Sequence, residues 1–322
     1  MMQDRRAGYF VFLAVFISLL FGCKKELRTG PESRTARIPS GLVLEKIIEG
    51  VVLGQRLLQP VGIASDNAGH LFLVDAGNSR LLKFDPGFEA TRETGGFGSY
   101  EGLLNSPSYL AVDNNLNVYV SDAGNQRISV FDSRLNFVDN IDLVDEDDPL
   151  KFGRPSGVAV NDYGELWVAD ADNSRISIFN NLYKFDRFVG DVETYSGLLL
   201  SPRAVARAEK GRVLVSDEGK SLILGFDAFG IYLFDFGKDV LDRPSGIGLD
   251  RYGNIWVVDA DLSAVLCFDP DGKLIYSEGS PGREGPYSFM NPQDLAVIPG
   301  DLMAVSDTGN DRVLIYKILY PE

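Results

Sequence analysis

Residues 60–84 read PVGIASDNAGHLFLVDAGNSRLLKF, and the spacing inside this stretch recurs along the chain. Pro60, Pro107, Pro155, Pro202, Pro244 and Pro292 are each followed fifteen residues later by Asp75, Asp122, Asp170, Asp217, Asp259 and Asp307. Nine residues beyond each aspartate stands an aromatic: Phe84, Phe131, Phe179, Phe226, Phe268 and Tyr316. Six copies of one ungapped unit keep both spacings, and all length variation falls between units. A fixed period of this size is the mark of a repeat architecture.

Each unit contains three short strands. In the third copy, residues 157–160 (GVAV) and 165–170 (ELWVAD) flank the turn NDYG, and 175–179 (RISIF) follow ADNS. Alternation with β-branched and aromatic residues predicts strands, and Gly164 predicts a tight hairpin. A fourth strand follows at 137–143, 185–190, 231–237 and 274–279. Four-stranded antiparallel units every 40 to 50 residues pack as propeller blades around an axis, so the fold class is all-β and the architecture a six-bladed β-propeller. Only six residues remain after Tyr316, too few for the last blade's fourth strand. The apolar segment LVLEKII, residues 42–48, is expected to supply it by pairing with 313–317, which removes an open edge and ties the chain ends together.

The pattern P-x-G-I-A-x-D-x-x-G-x-L-x-V-x-D-A-G-N-x-R-L-x-x-F of residues 60–84 resembles the NHL repeat, whose proteins are six-bladed β-propellers. Linkers such as GFGSYEGLLNSP (96–107) resemble that family's glycine-rich interblade stretches. The resemblance covers residues 42–322 and implies the fold; the family spans receptor ectodomains, RNA-binding modules, lyases and scaffolds, so it implies no single activity.

The chain has 322 residues, 45% hydrophobic and 24% charged, enough to bury a large core. Thirty-one lysines and arginines against 46 aspartates and glutamates give a formal charge of −15, which opposes a sequence-tolerant grip on nucleic acid. One histidine excludes any constellation needing two imidazoles, and two cysteines exclude a disulfide framework. Residues 1–22 carry Arg5 and Arg6 before the run GYFVFLAVFISLLFG (8–22), which is shorter than a membrane span needs and is predicted to be an export signal. Leu20-Phe21-Gly22-Cys23 resembles a bacterial lipobox, which implies lipidation of Cys23 and attachment to the membrane through that lipid. Residues 23–41 then form a flexible basic tether, and the acidic excess lies in the body. Lys24, where a retention aspartate would stand, favours the outer membrane of the bacterial cell envelope.

The recurrent D-x-x-N-x-R, as in Asp122/Asn125/Arg127, is needed in every blade and is therefore assigned to the turn between strands two and three, not to catalysis. His70 follows a hairpin turn, and Cys267 lies inside a strand, so neither is a catalytic candidate. The amidating and streptogramin lyases of similar fold rely on histidines that this chain lacks. Asp145-Glu146-Asp147-Asp148 lacks the spacing of a calcium loop. Blades four and five break the repeat: Lys220 and Leu222, then Leu262 and Ala264, replace asparagine and arginine. Blade four also places Arg203 after its proline and Glu218 after its aspartate. Arg203, Glu218, Lys220 and Asp261, flanked by Asp172, are therefore the candidate partner-binding patch, expected beside the channel mouth.

Two functions fit. The first is a noncatalytic, membrane-tethered scaffold binding a protein, peptide or glycan partner at the cell envelope, with no cofactor. The alternative is a metal-dependent hydrolase of the lactonase or esterase kind, in which a divalent cation would sit at the channel among carboxylates. Acids such as Asp66, Asp113 and Asp250 bear on that choice, since their side chains need not converge on the axis.

Overall fold

The computed structural model describes residues 37–143, 152–191 and 197–321. The expected export signal, Cys23, the tether up to residue 36 and the Asp145–Asp148 loop lie outside them. The described residues belong to one compact unit, Ala36–Glu322.

Six four-stranded antiparallel sheets follow one another along the chain, and no α-helix occurs among the described residues. The innermost strands begin at or just after the repeated prolines: Pro60–Ser65, Pro107–Val112, Pro155–Val160, Pro202–Arg207, Pro244–Leu249 and Asp294–Ile298. They pack side by side around the axis, with Gly62, Gly157 and Gly246 at the tightest approaches. A Cβ on Gly62 would lie 2.4 Å from the Ser108 carbonyl oxygen, and one on Gly157 2.4 Å from that of Arg203, so only glycine lets the inner strands come this close. Hydrophobic side chains from facing blades fill the wedges between sheets, with Trp167 and Trp256 both fully buried.

The ring closes as the strand arithmetic requires. Gly41–Glu49 pairs antiparallel with Arg312–Leu319, from Leu42 opposite Ile318 to Ile48 opposite Val313. The register slips once, between Leu44 and Lys46, leaving Glu45 without a partner. This bulge has a use: one extra residue flips the faces of the strand. Leu42, before it, packs with Trp256, Phe289 and Tyr316 in the wedge between blades five and six. Ile48, after it, packs with Leu57, Ile63 and Ile315 in the wedge between blades six and one. A single closing strand thereby feeds two cores. A short ladder that the sequence pattern does not reveal, Val51–Val52 with Gln55–Arg56, connects it to blade one.

Candidate functional site

The repeated D-x-x-N-x-R is a structural clamp. Asp122 Oδ1 accepts the Asn105 backbone N–H at 2.7 Å, and Oδ2 accepts Asn125 Nδ2 at 2.7 Å and Arg127 Nε at 2.9 Å. The Arg127 guanidinium then donates to the carbonyls of Ser99, Tyr100 and Leu103, binding the interblade loop to its blade. Asp75/Asn78/Arg80 and Asp307/Asn310/Arg312 repeat the arrangement. In blades four and five, Asp217 and Asp259 accept backbone N–H groups in place of the lost asparagine and arginine.

These turns lie on the face where the prolines start strand one, and at this face the axis is closed. Tyr109, on the inner strand of blade two, donates its hydroxyl to the Ser245 carbonyl of blade five at 2.6 Å. Blades two and five stand opposite one another in a six-membered ring, so this bond spans the axis. Arg203 of blade four donates through Nε to the Tyr109 hydroxyl at 3.2 Å and through Nη2 to Gln293 Oε1 of blade six at 3.1 Å. Glu218 Oε1 lies 3.5 Å from Arg203 Nε, an ion pair without hydrogen-bond geometry. Beside them Asp294 accepts the N–H groups of Ile63 at 3.0 Å and Leu295 at 2.9 Å. Burial, only partly offset by those bonds and by Arg203, pushes its carboxyl up to about 8, which favours the protonated form at neutral pH. Burial likewise pushes up the Tyr109 phenol, which stays neutral.

Above this floor a cavity of about 650 Å³ opens to the opposite face, walled by short apolar side chains of all six inner strands. Asp66, Asp113 and Asp250 stand at its mouth, and each is engaged by its own hairpin. Asp66 Oδ1 accepts the backbone N–H groups of Ala68 and His70, and Asp66 Oδ2 lies 2.8 Å from His70 Nδ1. Asp113 Oδ1 accepts the N–H groups of Asn115 and Asn117. Asp250 Oδ2 receives Asn254 Nδ2, Trp256 Nε1 and the Tyr320 hydroxyl. These carboxylates organise turns. His70 is part of that turn chemistry, and Cys267 is buried, its thiol pushed up by desolvation.

The five patch residues all lie on the proline face, in the sector of blades three, four and five, and therefore at the closed end of the axis, not beside the open mouth. They are not one cluster. Arg203 and Glu218 turn inward to the floor. Asp172 pairs with Arg154, whose Nη2 is 3.3 Å away, and the Arg154 guanidinium holds that carboxyl below the usual range. Asp261 pairs with Arg243 Nε at 2.7 Å. The Lys220 ammonium has no ion-pair partner among the described residues. Arg154 and Arg243, each just before a repeat proline, were missed by the spacing argument, as were Tyr109 and Asp294. A signal for the latter two exists: the second residue after the proline is Gly62, Gly157, Ala204 or Gly246 in four blades, but Tyr109 and Asp294 in the other two.

Residues 57–84, 104–131 and 152–179 match the NHL repeat, and with the ring above they make the protein a six-bladed β-propeller that carries NHL repeats. Over 104 residues the chain is 31% identical to peptidyl-alpha-hydroxyglycine alpha-amidating lyase 1 of Drosophila melanogaster, a match covering 30% of this chain and 19% of that protein. It is 32% identical over 85 residues to protein brain tumor of the same organism, covering 26% of this chain and 8% of that protein. The chain thus spans less than a fifth of the length of either relative. A solved streptogramin B lyase superposes with a TM-score of 0.61 at 14% identity, covering 86% of this chain and 88% of that one, a likeness of fold.

Proposed function

We propose that this protein is a noncatalytic propeller, held at the bacterial cell envelope by a lipid on Cys23, that captures a protein, peptide or glycan partner on its closed, proline-side face. One observation carries the reading. Blades three and five each place an arginine just before the repeat proline, ion-paired at the surface to an acid across the turn (Arg154–Asp172, Arg243–Asp261), blade four between them presents Lys220 without an ion-pair partner among the described residues, and blades one, two and six have no arginine beside the proline. Half the rim is thus charged differently from the other half, in adjacent blades. Exposed Leu200 and Leu262 lie among the pairs, and leucines beside exchangeable surface ion pairs suit a protein or peptide segment better than a glycan. The mouth acids, occupied by their own hairpins, give the metal-dependent hydrolase no comparable support.

The test is crosslinking of the full chain in its native envelope from a photoreactive group near Lys220. A defined partner is expected, and Arg243→Glu with Lys220→Glu should abolish its capture while the melting temperature holds. Capture that survives both reversals, or that disappears with a chelator, refutes the reading. Cys23→Ser should release the protein from the membrane fraction.

A further inference from the structure

On the open face, between the hairpins of blades two and three, lies a hollow of about 370 Å³, within the size range of small-ligand sites. Its base is aromatic. Tyr119 and Tyr183 meet edge to face with centroids 6.2 Å apart and hydroxyls 3.0 Å apart. Burial and the Tyr183 hydroxyl push the Tyr119 phenol up, so it stays neutral. Tyr163, 66% exposed, offers its ring at the rim. The polar lining consists of amides and one internal ion pair, Arg207 Nη1 to Asp162 Oδ1 at 3.4 Å. Asp113 adds no free acceptor of consequence, because its two oxygens receive the backbone of Asn115 and Asn117, the Asn117 amide and the Tyr119 hydroxyl. The side-chain amides of Asn115 and Asn181 have no hydrogen-bond partner among the described residues, and both line the hollow.

We propose that this hollow is a saccharide-binding site, taking a neutral polyhydroxylated ring. The chemistry selects that class. Vicinal hydroxyls are at once donors and acceptors, and each asparagine amide offers both functions in one plane. A phenol face accommodates the apolar C–H face of a pyranose while the ring's edge is hydrogen-bonded. The one guanidinium is already ion-paired, which leaves a phosphate no free counter-charge, and the Asp113 carboxylate has two neutral donors on each oxygen, which leaves a cation no open oxygen there. The site shares Asp113, Asn114, Val160 and Arg207 with the axial cavity, so a longer chain of sugars has room to continue towards the axis. It lies on the opposite face from the partner surface proposed above and stands independently of it.

The experiment is saturation-transfer NMR and calorimetric titration of the full chain with neutral mono- and disaccharides: glucose, galactose, mannose, N-acetylglucosamine, maltose and cellobiose. At least one should bind, with Tyr163→Ala and Asn181→Ala each weakening it about tenfold or more, the loss of one good contact. Both residues are exposed at turns, so the melting temperature should hold. Arg243→Glu, on the far face, should leave the affinity unchanged, which separates this site from the partner surface. No binding by any of the six sugars, or affinity unmoved by both variants, overturns the proposal.

Discussion

Ile48→Ala tests whether closure of the ring is what stabilises it. Ile48 is 6% exposed and packs against residues of two blades, whereas its neighbour Ile47, on the other face of the same strand, is 38% exposed. Truncating a buried isoleucine to alanine removes transfer energy and leaves a cavity, about 2–5 kcal/mol, and the same change at Ile47 should cost under about 1 kcal/mol. The chain's two tryptophans make the readout specific. Trp256 lies in blade five beside the closing strand, in the same wedge as Leu42, while Trp167 lies in blade three, across the ring. In a Trp256→Phe background, urea unfolding followed by fluorescence reports blade three alone. If closure makes the ring one cooperative unit, Ile48→Ala shifts this distant transition by its full cost and Ile47→Ala barely moves it. A Trp167 transition unmoved by Ile48→Ala, with fraying confined to residues 41–49, would refute the argument.

Two further outcomes follow from the clamp and the floor. Asp122→Ala strands the buried Arg127 guanidinium and should cost about 3–5 kcal/mol, whereas Asp217→Ala frees only backbone N–H groups and should cost about 1–3 kcal/mol; equal denaturation midpoints would contradict the clamp. Asp294, raised when folded, keeps a proton that the unfolded chain loses above its ordinary value of 3.8, so its contribution is full below about pH 4 and is lost as pH rises towards 8. The stability of the wild type minus that of Asp294→Asn should therefore fall by about 1.4 kcal/mol per pH unit, about 3 kcal/mol between pH 5 and 7. A flat or rising difference measured by urea titration across that range would show that the carboxyl is ionised.

Much of this was written locally. The proline-to-aspartate and aspartate-to-aromatic spacings mark strand lengths and turns, because a blade is a run of neighbouring hairpins whose partners are close in sequence. Asp122, Asn125 and Arg127 fall within six residues, so their turn chemistry is legible from the string alone. Even closure followed from counting, since a six-bladed ring with one strand missing at its C-terminal end must find it elsewhere in the chain. The bulge at Glu45 did not follow, because a face reversal depends on which wedge each side chain enters.

The candidate site was legible only in part. The departures of blades four and five singled out a sector of the ring but not its geometry, and Arg203 turns inward where it was expected beside an open mouth. The reason is separation. The Tyr109–Ser245, Arg203–Tyr109 and Arg203–Gln293 bonds join residues 136, 94 and 90 apart, and these meet only once six blades are arranged around an axis. Sequence determined the number of blades, their turns and the strand that joins the ends. The tertiary structure decided which end of the axis is sealed and which hairpins enclose a hollow, because across-ring contacts are set by the curvature of the whole ring and leave no periodic trace in the chain.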